Sequence, residues 1–496
     1  MPRHVLAIDQ GTTSSRALLF DEAGKVVATA QKELPQYFPH DGWVEHDADG
    51  IWRDTVQVCR EAIAAAKVAP GDIAAIGIAN QRETTVLWER ATGRPVHRAI
   101  VWQDRRTAER CRELQRSGAA ALIAARTGLV IDPYFSATKL AWLLDNVPEA
   151  RARAERGELC FGTVDSYLLF RLTGGAVHAT DAANASRTML FDIRAQHWDA
   201  ELLRLFGVPA SLLPDVRDNA GDFGAATSDL FGRAIPIAGM AGDQQAALIG
   251  QGCFSPGTIK STYGTGCFAL MNIGAEARAS RHRLLTTVGY RLHGETAYAL
   301  EGSIFVAGAA IQWLRDGLRV LDSAASSAAV AAESGPSGIY LVPAFTGLGA
   351  PHWVPEARGA IFGVTRDTTG GDLVRAALEA VCYQTRDLLD AFAADSGMKP
   401  AAMRVDGGMA GNDWMLQFLA DMLGVPVERP ALNEATAFGA ARLAAAGAAL
   451  CASPGDFGAG WQLDRRFEPA MSADRRDKLY AGWKHAVETV KDYTAG

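Results

Sequence analysis

Cysteine is scarce and unpatterned: Cys59, Cys111, Cys160, Cys253, Cys267, Cys382 and Cys451 are the only seven in 496 residues. An odd, scattered set without a C-x-x-C pair excludes a disulfide frame or a zinc ribbon, and reads as buried thiols in a reducing compartment. Long apolar runs are missing too; none reaches the roughly 18 residues of a membrane-spanning helix. Nor is there a dense Lys/Arg cluster, and the net charge of −7 speaks against nucleic acid as a partner. Neither a G-x-x-x-x-G-K-[ST] loop nor a G-x-G-x-x-G opening a helix occurs, so a nucleotide would need another cradle. The first apolar run starts at Val5, which leaves no room for a secretory leader, and the expectation is a cytoplasmic protein. Apolar and charged residues, at 48% and 21%, are those of an ordinary globular chain. The length is roughly two to three times a typical domain, so two α/β domains are expected, 1–252 and 253–496.

The stretch that organises the chain is Val5-Leu6-Ala7-Ile8-Asp9-Gln10-Gly11-Thr12-Thr13-Ser14-Ser15-Arg16, continued by Ala17-Leu18-Leu19-Phe20. One apolar run ends in an acid, a Gly and four hydroxyl residues make a tight turn, and a second apolar run leaves it. This predicts a β-hairpin whose tip offers N–H groups, hydroxyls and one guanidinium to a single anion, most simply a phosphate. Asp9 stands on the rim of that cradle. A carboxylate beside a phosphate is repelled unless a cation lies between them, so Mg²⁺ on a nucleotide is expected.

Further along, Asp49 to Lys67 has helical spacing, and Ile73 to Ala79 is a nearly all-apolar strand fit for the middle of a covered sheet. That strand ends in Asn80-Gln81-Arg82-Glu83-Thr84-Thr85, and the expected strand Ala99 to Trp102 ends in Gln103-Asp104-Arg105-Arg106. Ligands of open α/β sheets bind at the carboxyl ends of strands, where both clusters would fall; a salt-bridge cluster capping the next helix is the alternative. Ile235 to Gly242 delivers Asp243 in the same fashion. Near residue 253 the chain begins again: Gly257 to Leu270 is another strand, Gly-Thr turn and strand. Met403 to Asn412 adds a strand and a Gly-rich turn that lets a flat ligand approach the backbone.

Taken together, these segments resemble the FGGY carbohydrate kinase family, whose fold is shared with actin, hexokinase and Hsp70. Tyr134-Phe135-Ser136-Ala137-Thr138-Lys139-Leu140-Ala141-Trp142 and Gly359 to Glu379 are similar to the family's own patterns. The hairpin, Asn80 to Thr85, Trp102 to Arg106 and Gly242-Asp243-Gln244-Gln245 are most similar to its glycerol-phosphorylating members. The resemblance runs from Val5 to about Trp483. It implies two ribonuclease-H-like domains with mixed sheets flanked by helices around a cleft, and transfer of the γ-phosphoryl group of ATP to a terminal hydroxyl of glycerol, giving sn-glycerol 3-phosphate. By position, Arg82, Glu83, Tyr134 and Asp243 would hold the hydroxyls with help from Gln244, and Trp102 and Phe268 would wall the carbon chain. Such a mix of paired polar groups and an apolar face suits a polyol. Asp243 would be the general base. Thr12, Thr13, Ser14 and Arg16 would meet the phosphates from one hairpin and Thr265 from the other, while Gly308, Gln312, Gly408 and Asn412 would line ribose and adenine. Mg²⁺ would ride on phosphate oxygens and water, with Asp9 and Asp243 as outer partners. Family members are often homodimers or homotetramers.

The resemblance breaks at one place. Several bacterial relatives carry a basic, Gly-rich loop there that binds fructose 1,6-bisphosphate. Here Thr227-Ser228-Asp229-Leu230-Phe231-Gly232-Arg233-Ala234 offers an acid and two bulky apolar residues, and weak or absent inhibition is expected. Kinases of xylulose, ribulose or gluconate remain open, as does a non-catalytic ATP switch of the actin or Hsp70 type.

Overall fold

The computed structural model describes residues 3–336, 338–458 and 460–495. In chain order, the elements that position the site begin with strands β1 (His4–Gln10), β2 (Ser14–Phe20) and β3 (Val26–Glu33), helix α1 (Ala48–Ala66), strand β4 (Ile73–Asn80), helix α2 (Ser136–Asn146), strand β5 (Ile235–Gly242) and helix α3 (Asp243–Gly250). Four strands follow: β6 (Ile259–Tyr263), β7 (Cys267–Gly274), β8 (Leu285–Leu292) and β9 (Glu295–Ile304). The remainder is α4 (Gly308–Asp316), α5 (Gly370–Ser396), β10 (Met403–Asp406), α6 (Asp413–Leu423), β11 (Val427–Pro430), α7 (Ala435–Gly447), β12 (Leu463–Phe467) and α8 (Ala473–Ala495).

Both halves open on an antiparallel hairpin whose first strand then takes a parallel neighbour. In the first sheet β3, β2 and β1 form a meander, β1 runs parallel to β4, and β4 parallel to β5. In the second, β6 pairs antiparallel with β7 and parallel with β10, which in turn runs parallel to β11. The hairpin tips and the ends of the parallel strands therefore share one edge of each sheet.

Strand alternation sorts the first sheet's side chains onto two faces. Leu6, Ile8, Leu19, Ile76 and Ile78 pack with Ile51, Val58, Cys59 and Ala62 of α1. Val5, Ala7, Leu18, Phe20 and Ala79 face the other way, under Ala437, Phe438, Ala440, Ala441 and Ala444 of α7. A helix from the far end of the chain thus covers the first sheet, and it also crosses α3 at close range. A Cβ on Gly439 would lie 1.8 Å from the Ala246 carbonyl oxygen, and one on Gly250 1.9 Å from that of Ala435. In the second half the core gathers around α5, where Tyr383 stacks on Trp483 of α8. No helix among the described residues is long and apolar enough to cross a membrane, and all seven cysteines are unpaired.

Two local expectations change. The strand expected at Ala99–Trp102 is only Ala99–Ile100, and it pairs with Glu45–His46 rather than joining the central sheet. Its trailing acid and arginine are structural. Arg106 donates to Asp104 and Glu45 at 2.8 Å and lies 3.7 Å from the Trp43 ring centre and 4.6 Å from that of Trp142. Asp104 also accepts the Val44 N–H at 2.7 Å. Ser15, counted among the tip hydroxyls, is buried because its position in β2 faces inward.

Candidate active site

Arg82 and Glu83 lie two and three residues beyond Asn80, the end of β4. Glu83 sits in the left-handed region at φ 58°, uncommon for a residue with a Cβ, and Thr84 N–H closes the turn on the Arg82 carbonyl at 2.7 Å. This backbone lets two neighbouring side chains reach one cluster. Asp243 arrives from β5 as the first residue of α3, with Oδ1 3.3 Å from Arg82 Nε and accepting the Gln244 N–H at 2.7 Å. Tyr134 lies just ahead of α2; its hydroxyl accepts from Arg82 Nη2 at 3.1 Å. The loop bearing Tyr134 is fastened by the buried Lys139 ammonium, which donates to the carbonyls of Pro133, Tyr134 and Phe135 at 2.8, 2.7 and 2.8 Å. Burial pulls that lysine down to about 8.

Trp102 and Phe268 stand edge to face, 6.1 Å between ring centres. Trp102 also meets Tyr134 at 5.6 Å and donates its indole N–H to Thr12 Oγ1 at 2.9 Å. One aromatic residue thus joins the first hairpin tip, the polar cluster and β7 of the second sheet. Arg82, Glu83 and Tyr134 form a buried floor, whereas the Asp243 side chain keeps 30% of its surface exposed. Burial pushes the Asp243 carboxyl up to about 6, against the pull of Arg82. Burial also works against the Arg82 charge, but the carboxylates of Glu301, Glu83 and Asp243 outweigh it and hold the guanidinium protonated.

On the other side, the Gly264–Gly266 tip of the second hairpin is tied to the start of α4: the Gly308 N–H donates to the Gly264 carbonyl at 3.0 Å and the Ala309 N–H to that of Thr265 at 3.1 Å. This approach requires glycine, since a Cβ on Gly308 would lie 2.6 Å from the Gly264 oxygen and 3.4 Å from Met409 Sδ. Thr265, Gly308 and the turn after β10 therefore converge, with Thr265, Gln312 and Gly408 exposed. Thr12 and Ser14 are partly exposed and Thr13 exposed at the first tip.

Two expected ligand contacts are already engaged. Arg16 lies between Asp9, at 2.5 Å, and Glu434, at 2.9 Å, so its charge is neutralised by two carboxylates instead of facing the cradle alone. Asn412 caps α6 by accepting the Met415 N–H at 2.9 Å and donates to Ser327 Oγ at 3.2 Å. Among the described residues no group of three or more His, Cys, Asp or Glu could hold a metal ion. Asp9 and Asp243 offer two carboxylates, each beside an arginine. That fits a hard cation arriving on phosphate oxygens and keeping its water, and does not fit an all-protein cage.

Comparison with known proteins follows the same division of the chain. Residues 4–250 match the model of the FGGY family of carbohydrate kinases, N-terminal domain, and residues 259–448 match its C-terminal domain. The chain belongs to the FGGY family of carbohydrate kinases. It is 65% identical to the glycerol kinase of Rhodospirillum rubrum over 487 residues, 98% of each chain. It is 61% identical to glycerol kinase 1 of Pseudomonas aeruginosa over 99% of each. The crystal structure of Plasmodium falciparum glycerol kinase with ADP superposes with a TM-score of 0.91 at 34% identity, covering 98% of both chains.

Family membership leaves three buried charges to explain that the sequence reading missed. Glu301, in β9, receives Arg82 Nη1 at 2.5 Å and Nη2 at 3.1 Å. Arg187 donates to Glu301 at 2.9 Å and to Glu83 at 2.7 Å. Lys260, in β6, donates to Gln244 Oε1 and, at 3.0 Å, to Thr262 Oγ1, and burial lowers its pKa. Glu301 is the one charge in the buried part of β9, and Lys260 the one charge in the mostly buried β6. A lone charge in a buried strand was the available signal.

Proposed function

We propose that this FGGY kinase transfers the γ-phosphoryl group of ATP to a terminal hydroxyl of glycerol. The observation that carries the reading is the meeting of Arg82, Glu83, Tyr134 and Asp243 in one cluster beside the Trp102–Phe268 pair, with Tyr134 5.6 Å from Trp102 and the Arg82 guanidinium 5.9 Å from the Phe268 ring centre. Paired donors and acceptors suit vicinal hydroxyls, and the aromatic edge suits a short carbon chain. The full-length likeness to glycerol kinases from two bacteria supports the same acceptor. The likeness to the Plasmodium glycerol kinase solved with ADP supports the nucleotide.

In this reading Arg82 Nε and the Glu83 carboxylate orient the acceptor, and Tyr134 adds a hydroxyl. Asp243 takes the proton of the attacking hydroxyl as the new O–P bond forms and the bond to the ADP oxygen breaks. Backbone N–H groups and the hydroxyls of Thr12, Thr13, Ser14 and Thr265 meet the phosphates. Gly308, Gln312, Gly408 and the Asn412 backbone line the nucleoside. Asp9 and Asp243 would hold a Mg²⁺ ion arriving with the nucleotide, and that ion would supply positive charge against the phosphate oxygens. The units are taken as 1–252 and 253–496, with α7 crossing from the second onto the first.

The test is ADP release from Mg·ATP with glycerol, xylulose, ribulose or gluconate as sole acceptor, run beside Asp243→Asn. Glycerol-dependent turnover that drops by about 10²–10⁴ in the variant is expected. Turnover with only a pentose or gluconate would move the acceptor, and none with any acceptor would favour an ATP switch.

A further inference from the structure

The donors of Arg82 are nearly all spoken for. Its Nη1 reaches Glu301 at 2.5 Å and Gln245 Oε1 at 3.4 Å, and its Nη2 reaches Glu301 at 3.1 Å and Tyr134 at 3.1 Å. Only Nε remains, 3.3 Å from an Asp243 carboxylate oxygen and 3.9 Å from one of Glu83. Glu301 is wholly buried, and it takes a third N–H from Arg187, whose Nε holds Glu83. The Arg187 guanidinium in turn lies 5.6 Å from the Tyr134 ring centre and 5.3 Å from that of Phe135. One carboxylate therefore fixes two guanidinium planes, and through them Glu83 and Tyr134. It comes from β9, in the second sheet, while Arg82, Glu83 and Arg187 all precede residue 253.

We propose that Glu301 is a positioning residue of the acceptor pocket: it occupies the terminal nitrogens of Arg82 so that Arg82 offers the acceptor only its Nε edge, beside Glu83, Tyr134 and Asp243, and it makes that arrangement depend on where the second sheet lies. The proposal rests on the polyol-kinase reading given above. A bidentate, charge-assisted pair fixes direction as well as distance, so the neutral isostere keeps the volume and loses the alignment.

The experiment compares the full chain with Glu301→Gln and Glu301→Asp. It measures KM and kcat for glycerol at saturating Mg·ATP, KM for ATP, the Kd of ADP by calorimetry without glycerol, and the melting temperature. The expected result for Glu301→Gln is a glycerol KM raised at least tenfold, with the ADP Kd within twofold. Glu301→Asp keeps the charge at shorter reach and should recover part of the loss. If Glu301→Gln is not recovered folded, Glu301→Asp decides, with the same split between glycerol and ADP expected. An unchanged glycerol KM in the folded variants overturns the proposal. So does a parallel rise in the ADP Kd, which marks a merely structural role. Absence of glycerol turnover in the unaltered chain would instead sink the functional reading beneath it.

Discussion

Asp243 has to be ionised to accept a proton, yet it sits where burial favours its neutral form. With its carboxyl pushed up to about 6, the group is a stronger base than a free aspartate and is still mostly charged at pH 7. The sign follows directly: as pH falls through about 6 the carboxylate takes up a proton and the base is lost. The expected outcome is a kcat/KM for glycerol that falls about tenfold per pH unit on the acid side of that value, read from initial rates between pH 4.5 and 8. A flat profile over this range would remove Asp243 as the base. At this scale the sequence was legible where chemistry is adjacent in the chain. Arg82 beside Glu83, and an acid delivered by an apolar strand at Asp243, announce themselves. Glu301 does not, because its partners Arg82 and Arg187 lie in another sheet and only pairing in space shows why a strand tolerates a buried charge. Arg16 misled for a similar reason: Asp9 is its register partner across the hairpin, but Glu434 comes from the far end of the chain.

Among the elements, the two hairpins and helix α1 were readable because their information is local: alternation, a Gly-Thr turn, and a stripe of apolar residues. The two-residue strand at Ala99–Ile100 was not, since it exists only through its distant partner Glu45–His46. The crossing of α3 and α7 is likewise invisible until the helices are placed. There, Gly439→Ala would push a methyl group against the Ala246 carbonyl from 1.8 Å. A loss of roughly 1–3 kcal/mol or more is expected from overpacking, measured by denaturant unfolding of the full chain. Gly118→Ala, with nothing within 4 Å but a φ of 82°, isolates the backbone contribution alone. The segment ahead of β5 makes a separate case. Phe231 is buried, Arg60 donates to the Leu230 carbonyl at 2.8 Å, and Arg233 donates to that of Gly71 at 3.1 Å. With its apolar side chain inside and its arginine bonded to backbone, this segment has little to offer a bisphosphate. Fructose 1,6-bisphosphate at millimolar concentration should change the glycerol-dependent rate less than twofold; strong inhibition would contradict that.

For the whole molecule, acid sensitivity should be set in part by two histidines kept neutral. Burial pulls His46 down to about 4, and His178 likewise, despite the hydrogen bond His178 makes to the Phe161 carbonyl at 2.8 Å. The unfolded chain binds protons at these positions from about pH 6.5 downward, while the folded chain does so only near 4. Stability is therefore undiminished above about 6.5 and falls as pH drops toward 4, by about 1.4 kcal/mol per unit for each histidine. Melting temperatures of the full chain and of His46→Gln between pH 7 and 4.5 test this; the variant should lose less over the interval. The two-sheet plan was legible from the restart near residue 253, but the way α7 spans both halves was not, because an Ala-rich helix carries no mark of which sheet it will cover.

That helix also sets a schedule. One face of the first sheet, lined by Val5, Ala7, Leu18 and Phe20, has no cover until Ala437, Phe438 and Ala441 have been made. At about 5–20 residues per second, translation from Gly242 to Ala435 takes on the order of ten to forty seconds. Through that interval the emerging chain holds a finished strand order with an open apolar flank. Native burial of that face therefore arrives late, with the last fifth of the chain.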